Sequence, residues 1–171
     1  TYPSIATFLH FDTLARREAV ADRLRKLKAE VESNPENVTA LDEIEDCVHS
    51  RYRFERRYAI SIMGELGPLA EPKVEIVATF LASPDRFDRD TAAQALAKMG
   101  RAAATARDEL IDAIYENINS RTGMYSAEAL GHIKDRSPEV LNVLTFGKQN
   151  APELFASVYE EALETLNKRD D

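Results

Sequence analysis

Tryptophan is absent from this chain, cysteine occurs once, histidine three times and glycine six times. With Cys47 the sole thiol, no internal disulfide can form, which is compatible with a reducing compartment. No apolar run approaches the roughly 18 residues that a membrane span requires. The segment Ser4 to Phe11 is short, contains His10 and lacks a basic flank, so it does not read as a signal peptide. The expectation is a soluble, cytoplasmic protein with no membrane partner. A basic excess is also missing: the formal charge is −8, opposite in sign to that of a typical nucleic-acid binder, which disfavours nucleic acid as the partner of the whole molecule. Alternating strand patterns and hairpin turn signals are lacking while alanine is plentiful, and this predicts an all-α chain.

Sites of chemistry are equally scarce. His10, His49 and His132 are scattered, and Glu45 and His49, four apart on one helix face, are two ligands without a third. Gly64-Glu65-Leu66-Gly67 lacks the Lys-Ser/Thr of a phosphate-binding loop. Cys47 lies between Ile44 and Val48 on an apolar stripe, which favours core packing over a nucleophile. No catalytic residue, metal site or cofactor is expected.

What the chain does contain is a repeat. Arg53-Phe54-Glu55-Arg56 returns as Arg86-Phe87-Asp88-Arg89, 33 residues later, and behind each copy Ala59 matches Ala92, Met63 matches Leu96, Leu66 matches Met99 and Gly67 matches Gly100. A third copy follows at an offset of 34, with Tyr125-Ser126-Ala127-Glu128-Ala129-Leu130 on Thr91-Ala92-Ala93-Gln94-Ala95-Leu96 and Ile133 on Met99. Self-similarity at this period signals stacked units that bury their apolar faces against one another.

In chain order, Tyr2-Pro3-Ser4 is expected to be extended, and a helix capped by Asp12 carries Phe8, Phe11, Leu14, Val20, Leu24, Leu27 and Val31 on one stripe. Asn34-Pro35 ends it and opens a second helix with Leu41, Ile44 and Val48 buried. The repeats each read as helix, turn, helix: first helices at about 53–66, 87–99 and 122–133, second helices at about 71–82, 103–118 and 137–146. Gly67-Pro68 and Gly100 end first helices, and Ser137-Pro138-Glu139 starts the last second helix. A final helix from Pro152 to about Asn167 carries Leu154, Val158, Ala162 and Leu166, and a charged tail follows from Lys168.

The segments Arg89-Asp90-Thr91-Ala92-Ala93-Gln94-Ala95-Leu96-Ala97-Lys98-Met99-Gly100 and Ala127-Glu128-Ala129-Leu130-Gly131-His132-Ile133-Lys134-Asp135 resemble the short HEAT-like repeat of phycobilisome lyases, through their Arg, Ala-Ala, Ala-Leu, Gly and Ile/Met spacing. The third copy departs in having Gly123 where Arg56 and Arg89 stand. The resemblance implies a right-handed α-solenoid of stacked antiparallel helix pairs with helical caps. Residues 1–171 then form a single domain: 1–50 the N-terminal helices with a degenerate repeat, 51–148 three repeats, 149–171 a capping helix and tail.

Register places Asp42, Glu75, Asp108 and Asn142 at equivalent points on successive second helices, with Asp46, Thr79 and Asp112 one turn later. The resemblance implies that second helices line the concave side, so these residues, with Glu43, Glu109, Tyr115 and Glu116 beside them, are expected to form an acidic groove. The expected partner is a basic protein segment held along Asp42, Glu75, Thr79, Asp108, Asp112 and Tyr115; the plain alternative is a solvated face. Arg53, Arg56, Arg57, Arg86 and Arg89, with Arg51, gather near the starts of first helices. They either pair with Glu55, Asp85, Asp88 and Asp90 between repeats or form an anion-binding edge where Tyr52 and Tyr58 stack. The leading reading is a non-enzymatic scaffold or adaptor. Its rivals are a bilin lyase subunit or chaperone-like partner, as the resemblance implies, and a HEAT-like DNA glycosylase, which would need a basic concave face.

Overall fold

The computed structural model describes residues 5–168, with side chains from residue 13 onward; Tyr2-Pro3-Ser4, the side chains of Phe8 and Phe11 and the tail past Lys168 lie outside that range. Among the described residues the structure is all-α, without a strand, and none of its helices is long and apolar enough to cross a membrane. It divides into two units, Thr1–Ile62 and Met63–Asp171.

The first unit holds α1 (Ile5–Ser33), α2 (Val38–Val48) and most of α3 (Arg53–Leu66). Leu24, Leu27 and Val31 of α1 are buried, as are Leu41, Ile44, Cys47 and Val48 of α2, so the two apolar stripes close on each other. Arg23 of α1 spans to Glu43 of α2 at 3.0 Å. Three expectations are corrected here. The helix already runs at Ile5, so Asp12 is interior to α1 rather than its cap. Leu14 is exposed, so among the described side chains of α1 the buried positions are Leu24, Leu27 and Val31. The cap of α2 is Asn37, whose side chain accepts from the Ala40 N–H; Asn34 and Pro35 belong to the preceding turn. Asparagine caps a helix by reaching the third residue beyond it, and Asn37 meets that geometry where Asn34 does not.

The second unit continues from the last turn of α3 through α4 (Val74–Thr79), α5 (Arg86–Met99), α6 (Arg107–Asn117), α7 (Arg121–Ile133), α8 (Pro138–Asn150) and α9 (Glu153–Asn167). Two expected second helices are shorter in α form than their sequence implies. Gly67–Lys73 is a 3-10 helix leading into α4, Phe80–Ala82 is another closing it, and Gly100–Ala106 is a third leading into α6. Gly67 and Gly100 both sit at positive φ, 57° and 60°, where other residues are strained, so each reverses the chain at the same point of its repeat. Pro72 inside the first 3-10 stretch lacks the N–H that an α ladder would use there. Gly100–Ala106 has no proline, but its alanines Ala102, Ala103 and Ala106 are buried, and the two 3-10 stretches lie against each other.

Packing follows chain order in two rows. In one, α5 contacts α7 and α7 contacts α9; in the other, α4 contacts α6 and α6 contacts α8, while α6 also meets α7 and α8 meets α9. Leu96, Met99, Leu110, Ile114, Leu130 and Leu144 fill the space between rows, each essentially inaccessible to solvent. At roughly 1.5 to 3 kcal/mol per fully buried side chain, this seam contributes substantially to stability. Polar links tie successive elements: Thr122 of α7 donates to Asp90 of α5 at 2.6 Å, and Lys148 of α8 reaches Glu160 of α9 at 2.7 Å.

Candidate functional site

Five polar side chains meet along the second unit's α4–α6 face. Glu75 and Thr79, one turn apart on α4, and Glu109, Asp112 and Glu116 on α6 line an open groove of about 260 Å³ whose floor includes Ala78, Leu81 and Ala113. Their alignment is a consequence of helical spacing: residues three and four apart share a face, and α4 and α6 lie side by side. Four carboxylates on small-residue floors, with no basic side chain among the lining, give a groove of strongly negative potential that a cation can enter. Thr79 spends its hydroxyl proton on the Ile76 carbonyl at 2.7 Å, so toward a ligand it is an acceptor.

The remaining sequence-derived members lie elsewhere. Asp108 is taken by Arg107, at 2.7 Å, and the same guanidinium reaches Asp135 at 3.3 Å in the α7–α8 turn. Burial works against ionisation of Asp135, but the Ser137 N–H, Arg107 and the Ser137 hydroxyl outweigh it and hold the carboxyl below its ordinary range. Tyr115 turns toward Phe146 of α8, ring centroids 5.2 Å apart, and both rings are partly exposed. Asp42 is exposed on α2 in the first unit. Glu109 and Glu116, which the register treats only as neighbours, are full members of the groove.

The arginines serve two different roles. Arg56 donates to the Ser50 carbonyl at 2.8 Å, and Arg89 donates to the Ser83 carbonyl at the same distance, each reaching six residues back to fasten the turn before its own helix. These bonds are internal to each repeat. Arg86 lies over Phe87, 5.0 Å from its centroid, and Phe87 is exposed. Arg53 lines a separate cleft with Arg51, Arg16 and Arg17, and Arg57 is half-buried in α3.

Gly123, the departure in the third repeat, has a structural cause. A Cβ there would stand 2.5 Å from the Asn117 carbonyl, six residues back, and 2.9 Å from the Tyr159 hydroxyl, while a Cβ on Gly147 would fall within the Tyr159 ring. Tyr159 of α9 thus enters the place where the arginine clasp would be. Its hydroxyl is buried without a hydrogen-bond partner, and burial pushes its pKa up to about 12. Sequence periodicity does not reveal this insertion, because Tyr159 lies outside the three copies.

Among the described residues no three His, Cys, Asp or Glu side chains are arranged to hold a metal. Cys47 is buried, and desolvation pushes its thiol up. Comparison with protein-family models, curated proteins and solved structures finds no match.

Proposed function

We propose that this chain is a HEAT-like adaptor whose paired helices stack as a right-handed α-solenoid and whose second unit holds a basic protein segment in the α4–α6 groove. The observation that carries the reading is the convergence of Glu75, Glu109, Asp112 and Glu116 with Thr79 on one open groove. The two rows of sequential helix contacts support the stacked architecture. An extended or helical lysine- and arginine-bearing peptide matches the groove in charge, and its aliphatic stems suit the alanine and leucine floor. The reading needs no catalysis, since an adaptor acts by position alone, from the cytoplasm or any compartment where its partner resides.

Each exposed charge pair is worth only about 0 to 1 kcal/mol, so affinity has to come from several pairs at once and fall with salt. The test is a titration of a fluorescent alternating lysine–alanine peptide against the wild type and a Glu75→Lys, Asp112→Lys, Glu116→Lys variant, at low and high salt. The variant is expected to bind about tenfold more weakly or worse at low salt, with the difference shrinking at high salt. An Asp108→Lys variant, altering a carboxylate engaged by Arg107, is expected to change binding less. Equal affinity of all variants in both salts overturns the groove reading.

A further inference from the structure

The first unit carries a concentration of the opposite charge. Arg16 and Arg17 of α1, Arg51 of the α2–α3 turn and Arg53 at the start of α3 line one cleft of about 370 Å³ together with Tyr52 and Phe54. Four guanidiniums in one cleft repel one another, and in a chain of charge −8 their convergence is not a by-product of composition. The single carboxylate in the lining, Glu55, already accepts the Ser50 hydroxyl at 2.6 Å.

The aromatic rings hold the cations in place. The Arg16 guanidinium lies 3.9 Å and that of Arg51 4.9 Å from the Tyr52 centroid, and Arg17 lies 5.5 Å from the centroid of Phe54. Arg51 also donates to the Tyr52 hydroxyl at 2.9 Å. Stacking occupies the face of a guanidinium, and one hydrogen bond to the Tyr52 hydroxyl uses only part of the five-donor edge of Arg16, so Arg16 and Arg17 still present oriented N–H donors toward the cleft. The Tyr52 phenol registers the resulting potential: its pKa is lowered, first by the hydrogen bond from Arg51 and then by that from Arg16.

We infer that this cleft binds a phosphate monoester, with the phosphate dianion bridging the N–H edges of Arg16, Arg17 and Arg51 and the organic group lying against Tyr52 and Phe54. A carboxylate offers one negative charge and two oxygens, whereas a phosphate monoester offers close to two charges and three terminal oxygens, a better match to several forks. The cleft is larger than a phosphate group alone, and Val20 and Phe54 give it an apolar wall. The site is independent of the acidic groove, and either can fail without the other.

Calorimetric titration of the full chain with phenyl phosphate, phenyl sulfate, inorganic phosphate and a phosphoserine peptide beside its unphosphorylated form tests the inference. Phenyl phosphate is expected to bind more tightly than inorganic phosphate, and to tighten as pH rises through the second phosphate ionisation near about 6. Phenyl sulfate, a fixed monoanion, is expected to bind about tenfold more weakly and without that pH dependence. Arg16→Gln and Arg51→Gln, both at exposed positions, are each expected to weaken phenyl phosphate about tenfold, while Arg121→Gln in the second unit leaves it unchanged. Binding that raises the pKa of Tyr52, read as a loss of phenolate absorbance at alkaline pH in wild type minus Tyr52→Phe, supports the placement. Binding confined to the phosphoserine peptide and lost in Arg16→Gln also supports the site and assigns its source to a phosphorylated chain. No binding by any phosphate ester at millimolar concentration, or binding indifferent to Arg16→Gln and Arg51→Gln in variants with wild-type circular dichroism, overturns it.

Discussion

A Cβ on Gly64 would stand 2.7 Å from the Cα of Ala95, so the end of α3 touches α5 backbone to backbone. The same contact recurs between α7 and α9, where a Cβ on Gly131 would stand 3.0 Å from the Cα of Ala162. Both pairs are 31 residues apart (64 to 95, 131 to 162), so α9 takes the place of a first helix in the row and extends the expected role of a terminal cap. Gly64→Ala is expected to destabilise the protein more than Gly131→Ala, because the nearest obstacle, a backbone Cα in both cases, is closer to Gly64. Overpacking of this kind costs about 1 to 3 kcal/mol. Chemical denaturation of both variants checks the order; an unchanged midpoint for Gly64→Ala would show that adjacent helices of the row can move apart freely.

Leu96 is wholly buried near the C-terminal end of α5. Leu96→Asp places a charge among side chains that cannot solvate it, and the combined loss of packing and burial of charge is expected to exceed about 3 kcal/mol. Thermal melting by circular dichroism is the measurement, and a midpoint within a few degrees of wild type contradicts the buried placement.

Arg89→Ala removes the bonds to the Ser83 and Pro84 carbonyls, at 2.8 and 3.3 Å, that fasten the turn before α5. Hydrogen bonds from charged donors contribute about 1.5 to 3 kcal/mol each, discounted here because the guanidinium is only half-buried. The expected loss is about 1 to 2 kcal/mol with no added anion. Arg89→Lys should recover little of it, since a compact ammonium lacks the planar fork. If Arg89→Ala melts like wild type while anion binding disappears, Arg89 belongs to a binding edge instead.

Tyr159 ionises in the unfolded chain near pH 10 but in the folded protein only at about 12. Below pH 10 both states keep the proton; between the two values only the unfolded chain loses it, so stability falls as pH rises. The alkaline loss attributable to this group is on the order of 2 to 3 kcal/mol. Tyr159→Phe should flatten the wild-type decline between pH 10 and 12 and, because the hydroxyl has no partner to lose, should cost little or even stabilise at neutral pH. Urea unfolding at several pH values separates these outcomes. A neutral-pH loss as large as that of a core truncation would mean that the hydroxyl is bonded.

Periodicity alone determined that this chain is helical and where most helices lie. The matched Arg-Phe-acid-Arg segments and the apolar positions behind them impose the same local solution twice, and Gly67 and Gly100 reverse the chain at the same point because positive φ excludes most other residues there. Register also brought Glu75, Thr79 and Asp112 to one face, since helical spacing fixes which side chains are neighbours on a single element. Only tertiary structure decided the rest. Asp108 left the groove because Arg107, anchored by Asp135 of the α7–α8 turn, holds it, Tyr115 found Phe146 on another helix, and Arg53 joined Arg16 and Arg17 from a distant segment. Tyr159 replaced the third arginine clasp from a helix that shares none of the repeat motif. Each of these outcomes depends on which side chain of a second element reaches a given space first, and a one-dimensional pattern carries no information about that competition.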